Sequence, residues 1–158
     1  MDSVTIRRNH RPSLPDFARL NAAWIEELHH MEDSDKRMVA EPEIYLENGG
    51  QVFTAHLDGA CVGAVALKYH PDGPSAGQWE LTKMAVDPSA QGHGIGQKLM
   101  DACHSYARDT LGQERLFLLS NTKNAAALRL YARNGWTVNH EGPHPVYERC
   151  NIGMEVKL

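Results

Sequence analysis

Three glycines at alternate positions, between a strand pattern and a helix pattern, constrain this chain more than any other feature. They are Gly92, Gly94 and Gly96, in the segment MAVDPSAQGHGIGQKLM. A helix N-terminus offers unpaired backbone N–H groups and the positive end of the helix dipole. Glycine lets the backbone approach a ligand closely and adopt positive φ. The segment therefore predicts a loop around a phosphate or pyrophosphate; the alternative is an ordinary tight turn that begins a helix.

Two familiar phosphate-binding motifs do not explain the loop. GxGxxG requires glycine at position 97, where the chain has Gln97. The chain also lacks the early β–α–β unit and the acidic residue that accompany that motif. GxxxxGK[ST] fails because no Lys-Ser or Lys-Thr pair stands at the required place. A nucleotide-phosphate binder of either class is therefore disfavoured.

Hydrophobic periodicity predicts an α/β fold with elements in the order β-α-α-β-β-β-α-β-α-β-β. Strand patterns cover residues 4–7, 51–57, 60–69, 79–86, 115–120, 136–138 and 150–158. Helix patterns cover 14–31, with Ser13 as its cap, a short segment that starts at Pro42, then 95–110 and 124–134. Asp58-Gly59 predicts a two-residue hairpin between the second and third strands.

Length and composition indicate one soluble domain. The chain has 158 residues, of which 42% are hydrophobic and 23% charged. Its formal net charge of −4 argues against a nucleic-acid partner. Three cysteines without a CxxC pair are typical of free thiols in a reducing compartment. With no signal-like or membrane-spanning apolar run, we expect a cytoplasmic protein without a membrane partner.

The segment ELTKMAVDPSAQGHGIG, followed by a helix, resembles the acetyl-CoA signature of the GNAT N-acetyltransferase superfamily. The signature Q/R-x-x-G-x-G/A corresponds here to Gln91, Gly94 and Gly96, after a strand that ends V-x-P. A second block of the superfamily is matched by NAAALRLYARNGW. The resemblance covers essentially the whole chain, 1–158, as a single domain. It implies a mixed, mostly antiparallel central sheet with splayed strands, flanked by about four helices.

The resemblance also implies how acetyl-CoA binds. The strand 79–86 diverges from 115–120 and opens a slot, in which main-chain groups pair with the pantetheine arm like an added strand. N–H groups from Gly92 to Gln97 hold the pyrophosphate, Asn124 contacts the pantetheine and Tyr131 lies near the sulfur. The implied cofactor-binding residues are Met84, Ala85, Val86, Gln91, Gly92, His93, Gly94, Ile95, Gly96, Gln97, Asn124 and Tyr131.

Attack of an amine on a thioester requires a base, because an amine of pKa near 10 must lose a proton at a cost of roughly 4 kcal/mol. Glu80 is the first candidate: it lies on the slot strand, and alternation places it on one face with Thr82 and Met84. The alternative is an exposed edge carboxylate.

An N–H near Met84 or Ala85 is the candidate oxyanion donor. Tyr131 is the candidate acid, unless it is a core residue beside Leu128.

The amine acceptor, a small molecule or a protein, is expected on the other side of the slot. Trp24, Glu27 and Tyr45 come from the first helices, and Tyr147 and Arg149 precede the last strand. Arg149 is a candidate partner for a substrate carboxylate; the alternative is an ordinary surface arginine. The acidic residues Glu27, Glu80 and Glu141 favour a cationic amine. Lys83 stands where many members of the superfamily have an apolar residue. A lysine that points away from the slot needs solvent or an ion-pair partner on the outer face of the strand.

Other interpretations stay open. His93 is either an extra donor to the phosphates or an exposed loop residue. The spacing of His140, His144 and Cys150 matches no zinc pattern, so we expect no metal. An acetyl-CoA-binding sensor without turnover has the same fold, although retention of both Glu80 and Tyr131 favours catalysis. A homodimer through the C-terminal strands is one assembly that relatives suggest.

Overall fold

A seven-stranded sheet with helices on both faces forms the framework. The computed structural model describes residues 3–145, 147 and 149–158. The strands are β1 (Val4–Arg8), β2 (Gln51–Leu57), β3 (Ala60–Tyr69), β4 (Trp79–Val86), β5 (Arg115–Ser120), β6 (Thr137–Glu141) and β7 (Ile152–Lys157). The helices are α1 (Leu14–Leu28), α2 (Asp33–Ala40), α3 (Ile95–Ser105) and α4 (Ala125–Arg133). The predicted order is confirmed for the described residues, except that α2 was not predicted and precedes the short helix predicted at Pro42.

Short helical turns join these elements. Pro42–Gly49 forms a 3₁₀ helix with Pro42 in its first turn, and a π-helical turn, Tyr106–Thr110, extends α3. The hairpin at Asp58-Gly59 is confirmed, since both residues have positive φ. Ser13 precedes α1 but does not cap it with its side chain, because its hydroxyl bonds to the His10 ring instead. No helix in the described part of the chain has the length and apolar character needed to cross a membrane.

The sheet is almost divided between β4 and β5. The strand order is β1-β2-β3-β4-β5-β7-β6, and every neighbouring pair is antiparallel except β4 and β5. These two parallel strands share a single register pair, Glu80 with Phe117. Because that pair lies near the start of both strands, their carboxyl ends separate and leave a gap. The expected mixed, mostly antiparallel sheet with splayed strands is confirmed.

The two faces of the sheet carry separate apolar cores. On the face covered by α3 and α4, Leu81 packs in one cluster with Leu99 and Leu130. On the face covered by α1 and α2, Phe17 and Met38 pack against small strand residues. We call these the α3/α4 face and the α1/α2 face. A strand buried on both faces needs apolar residues almost throughout, which explains the continuous apolar run of β5.

A β-bulge in β4 moves its side chains between these faces. Thr82 pairs with Ala66, and Ala85 pairs with Ala64, so two residues of β4 oppose one of β3. Lys83 has a φ of 57°, in the left-handed region that a non-glycine residue seldom adopts. The predicted common face of Glu80, Thr82 and Met84 is therefore wrong for Met84, which packs in the α3/α4 core. Strict alternation cannot continue through an inserted residue.

Candidate active site

The gap between β4 and β5 is a cavity of about 580 Å³, which we call the large cavity. Eleven of the twelve residues predicted to bind cofactor line it. They are Met84, Ala85, Val86, Gln91, Gly92, Gly94, Ile95, Gly96, Gln97, Asn124 and Tyr131. The divergence of the strands opens the cavity, the loop after β4 and the start of α3 form one wall, and α4 forms another. The sequence motifs therefore converge on one site.

The three glycines of the loop serve two structural needs. Gly92 and Gly94 have φ of 89° and 70°, and a Cβ added at either would meet nothing within 4 Å. Their role is conformational: they turn the backbone so that α3 begins at the cavity, with Gly94 as its N-cap. Gly96 instead permits close packing, because a Cβ there would approach Leu130 Cδ2 on α4 at 3.1 Å.

The wall of the large cavity suits an anionic ligand with amide groups. Its described lining contains Lys83, Lys123 and Arg133 but no Asp or Glu. The N-cap residue of α3, a glycine, leaves the first N–H groups of the helix without a side-chain acceptor. Asn124 is half-buried at the cavity wall; its Nδ2 donates to Ser120 Oγ, and its side chain also interacts with the His29 ring. The positive charges and the helix N-terminus fit a pyrophosphate, and the Asn124 amide at the cavity wall fits a ligand with amide groups.

Two residues of the loop use their side chains elsewhere. The His93 ring bonds through Nδ1 to the Ala90 carbonyl at 3.0 Å, and His93 does not line the large cavity. Gln97 exchanges hydrogen bonds with Asn134, which ties α3 to the end of α4. Any contact of Gln97 with a ligand is therefore left to its main chain.

A small cavity of about 110 Å³ adjoins the large one. The two share the wall residues Trp24, Thr82, Lys83, Leu119, Ser120 and Asn124. Tyr45, Glu80, Tyr147 and Arg149 also line the small cavity, as does Lys68, which the sequence analysis did not single out. Of the three acidic residues expected on the acceptor side, only Glu80 lines the small cavity, because Glu27 and Glu141 are exposed and line neither cavity.

Glu80 is held in place by a histidine. His70 Nε2 and Glu80 Oε1 are 2.8 Å apart, with only 17% and 12% of the two side chains exposed. The His70 ring packs against Phe117, which faces Glu80 in the register of β5. The alternative of an exposed edge carboxylate is therefore wrong. A carboxylate that is oriented at the wall of a cavity has the placement that proton transfer requires.

Tyr131 is buried in the α3/α4 core and also lines the large cavity. Its ring packs against Trp136 at a centroid distance of 5.9 Å. Burial raises the pKa of Tyr131 to about 12. The hydroxyl consequently keeps its proton at neutral pH, as a proton donor must. The core and donor interpretations are compatible, because one ring can belong to the core and to the cavity wall.

A buried ion cluster closes the small cavity on the α1/α2 face. Asp35, with no exposed side-chain surface, accepts from Lys83 Nζ at 2.8 Å and from both terminal nitrogens of Arg149 at 2.5 and 2.9 Å. Glu32 Oε2 lies 3.2 Å from Arg149. The expectation that Arg149 pairs with a substrate carboxylate is wrong, since Asp35 already occupies its guanidinium fork. Lys83 has the paired surface it needs, but it lines both cavities rather than pointing away.

A buried asparagine fastens the bulge beside this cluster. Asn21 Nδ2 donates to the Lys83 carbonyl at 3.0 Å and to the Phe17 carbonyl. Asn21 Oδ1 accepts from Trp24 Nε1 at 3.1 Å. The left-handed backbone of Lys83 is thus held from α1, at the point where β4 borders both cavities. Sterically costly backbone of this kind is concentrated at functional sites.

Removing the Asp35 charge should destabilise the fold. Burial acts to raise the pKa of Asp35, but hydrogen bonds from Arg149 and Lys83 outweigh it and lower the pKa from 3.8 to about 2. The ionised form therefore stabilises the folded state above pH 4, by about 2 kcal/mol, and this is lost as the pH falls towards 2. We expect Asp35→Asn to lower the free energy of unfolding at pH 7 by about 3 kcal/mol, because two cations lose their partner. Urea unfolding from pH 2 to 7 measures both effects.

The matched control is Asp109→Asn, which removes an exposed carboxylate paired with Arg108. We expect no measurable change in unfolding from that variant. Equal losses in the two variants would contradict a structural role for the buried cluster.

Sequence reasoning missed several residues of the site. Lys123 lies directly before the block NAAALRLYARNGW and Arg133 lies within it, but no periodicity marks either as a cavity residue. Asp35 lies in a polar segment that resembles any solvated helix. His70 could have been found from the sequence, because it directly follows β3 and lies ten residues before Glu80 on the next strand. In the part of the chain that the structure describes, no group of three or more His, Cys, Asp or Glu could hold a metal ion.

Comparison with known proteins finds acetyltransferases both by family model and by sequence. The model of the acetyltransferase (GNAT) family matches residues 16–136. A mycothiol acetyltransferase from Salinispora tropica is 31% identical over 141 residues, which are 85% of this chain and 45% of the relative. The chain thus spans less than half of the length of the curated relatives it matches.

Solved structures share the fold across the whole chain. An acetyltransferase of the GNAT family from Staphylococcus aureus Mu50 superimposes with a TM-score of 0.83 and 21% identity, covering 99% of both chains. The structure of yncA from Salmonella typhimurium with its cofactor acetyl-CoA has a TM-score of 0.75 and 23% identity, over 99% of this chain and 94% of that one.

Proposed function

The chain belongs to the acetyltransferase (GNAT) family, and from that premise we propose that it transfers an acetyl group from acetyl-CoA to a primary amine. The observation that carries the proposal is the large cavity, in which the glycine loop, the start of α3 and the gap in the sheet meet. The small cavity next to it provides a place for the acceptor. Direct attack in a ternary complex follows, since the two cavities share a wall.

The binding of acetyl-CoA is assigned to the large cavity. N–H groups of residues 92–97 bind the pyrophosphate, and main-chain groups of Met84, Ala85 and Val86 pair with the pantetheine arm. Lys123 and Arg133 supply positive charge. Asn124, in the wall of the large cavity, contacts the pantetheine arm through its side-chain amide. His93 is left with a main-chain role because its ring is directed to Ala90.

Glu80 acts as the general base. Its carboxylate accepts a proton from the acceptor amine in the small cavity, and His70 holds it in orientation at 2.8 Å. The free amine attacks the thioester carbonyl, and an N–H at the bulge, near Met84 or Ala85, donates to the developing oxyanion. The carbon–sulfur bond then breaks, and the Tyr131 hydroxyl gives its proton to the departing sulfur. The second proton of the attacking nitrogen is lost as the amide forms and restores the Tyr131 hydroxyl, and the proton held by Glu80 passes to solvent.

A covalent acetyl-cysteine route is not supported by the chemistry of the site. Cys150 lines the small cavity, but burial raises the pKa of its thiol to about 11. The thiolate, which is the nucleophilic form, is therefore scarce at neutral pH. This favours direct transfer to the amine over a two-step mechanism.

The setting of the reaction is also part of the proposal. Cys61, Cys103 and Cys150 are unpaired thiols, which supports a reducing, cytoplasmic location. The acceptor is a small molecule or a protein amine, with neither nucleic acid nor membrane as partner. A homodimer through the C-terminal strands is compatible with this arrangement.

The test of the proposal is acetyl-CoA titration by calorimetry, followed by an amine panel read by CoA release. Saturable binding together with amine-dependent CoA release would support the transferase. Binding without release for any amine would favour an acetyl-CoA sensor of the same fold. A folded protein that does not bind acetyl-CoA would overturn both.

Replacing Tyr131 with Phe removes the proposed acid while keeping the ring in the core. We expect kcat to fall about tenfold to a hundredfold with an unchanged Kd for acetyl-CoA, because the lost proton assists only departure of the sulfur. Steady-state CoA release and calorimetry measure the two quantities. Tyr106→Phe, at a residue that lines neither cavity, is the control and should keep full turnover. Full turnover of Tyr131→Phe would reject the assignment.

A further inference from the structure

Lys68 stands beside the proposed base in the wall of the small cavity. It is the cross-strand partner of Glu80 in the register of β3 and β4. Directly opposed residues have Cβ atoms about 5 Å apart, so both side chains leave the sheet at the same place. Lys68 Nζ forms no ion pair with Glu80 in the described structure, however, and lies 6.0 Å from the centre of the Tyr45 ring.

The other charges at this cavity already have partners. Lys83 and Arg149 are bound to Asp35, and Arg149 also contacts Glu32. Glu80 bonds to His70. Among the described residues that line the small cavity, Lys68 is the cation without a carboxylate within ion-pairing distance. A half-buried ammonium in this position gains from an anion that the acceptor brings.

We propose that Lys68 determines specificity by binding a carboxylate of the acceptor, whose amine lies at Glu80. This inference rests on the proposed function and names its substrate class: a small zwitterionic acceptor of the α-amino-acid type. Because Lys68 and Glu80 are cross-strand neighbours, they suit a molecule whose amine and carboxylate are a few bonds apart. The volume of about 110 Å³ favours a small molecule over a folded protein.

The side chain of the acceptor would face aromatic residues. Trp24, Tyr45 and Tyr147 line the small cavity together with Lys68 and Glu80. These rings provide apolar contact, while the two charged groups fix the orientation of the molecule. The amine is thereby directed to the wall shared with the large cavity, where the thioester is expected.

The test compares glycine, alanine, serine and methionine with their carboxamides, which keep the amine and remove the negative charge. Each is assayed by CoA release with the parent, Lys68→Met and the control Lys36→Met, an exposed residue of α2 that lines neither cavity. We expect the parent to prefer the carboxylates by about tenfold to a hundredfold in kcat/KM. Lys68→Met should abolish this preference through a higher KM for the carboxylates and leave the carboxamides within about threefold. Lys36→Met should behave as the parent.

Two outcomes would overturn the inference. One is equal use of carboxylates and carboxamides by the parent. The other is an equal loss for both in Lys68→Met, which would mean that Lys68 serves Glu80 rather than the acceptor.

A second readout does not depend on turnover. Quenching of tryptophan fluorescence by methionine in the presence of CoA reports occupancy near Trp24, and it should be lost in Lys68→Met. Quenching that depends on Lys68 without CoA release for any amine would overturn the transferase and support the carboxylate site. CoA release without a preference for carboxylates and without quenching would support the transferase and overturn the carboxylate site.

Discussion

We expect Glu80→Gln to lower kcat/KM for the proposed amine acetylation by about a hundredfold to ten-thousandfold and to leave the Kd for acetyl-CoA unchanged. Glutamine keeps the size of the side chain and an acceptor oxygen towards His70 Nε2, but it cannot take the proton of the amine. Glu80 lines the small cavity and not the large one, so co-substrate binding has no reason to change. CoA release across a pH series and calorimetry measure the two effects.

The control for this variant is Glu27→Gln. Glu27 carries the same group on α1 but is exposed and lines neither cavity. We expect its kinetics and pH–rate profile to match the parent. If Glu80→Gln also kept the pH–rate profile of the parent, Glu80 would not be the base.

Gly94→Asp should weaken acetyl-CoA binding more than a hundredfold while the chain still folds. Two effects act together at this residue. The added carboxylate repels the pyrophosphate at the start of α3, and a left-handed φ of 70° is costly for a residue with a Cβ, by about 1 kcal/mol. Because a Cβ there meets nothing within 4 Å, the fold itself has no clash to avoid. Calorimetry gives the affinity and circular dichroism confirms folding.

The matched substitution is Gly112→Asp. Gly112 also has a positive φ, 64°, with open space around a Cβ, but it lies after the π-helical turn and outside the large cavity. It should lose a similar amount of stability and keep the affinity of the parent. A comparable loss of affinity in both variants would mean that backbone strain, and not a pyrophosphate site, explains the effect of Gly94→Asp.

The elements of the fold could be predicted because each depends on local chemistry. Asp58-Gly59 sets a hairpin through two positive φ angles. The alternation at Ile152, Met154 and Val156 places three side chains in one core, and all three are buried. The glycine loop was predictable for the same reason, since the backbone geometry it permits does not depend on distant residues.

The long-range features of the site could not be predicted from patterns. The bulge at Lys83 depends on Asn21, which is 62 residues away and bonds to its carbonyl. The partner of Arg149 is Asp35, 114 residues earlier in the chain. A guanidinium suited to a substrate carboxylate is equally suited to a protein one, and only the fold shows which of them it binds.

The bulge has a consequence for redesigning the specificity of this chain. Because one extra residue separates the two halves of β4, Glu80 and Thr82 project beside the small cavity, while Met84 and Val86 pack with the α3/α4 core. A mutant library that varies Thr82 and Lys68, and keeps Glu80, samples new acceptors without altering the main-chain platform proposed to carry the acetyl donor. The residues that select the acceptor and those proposed to bind the acetyl donor can thus be varied or kept separately, although they lie on one strand.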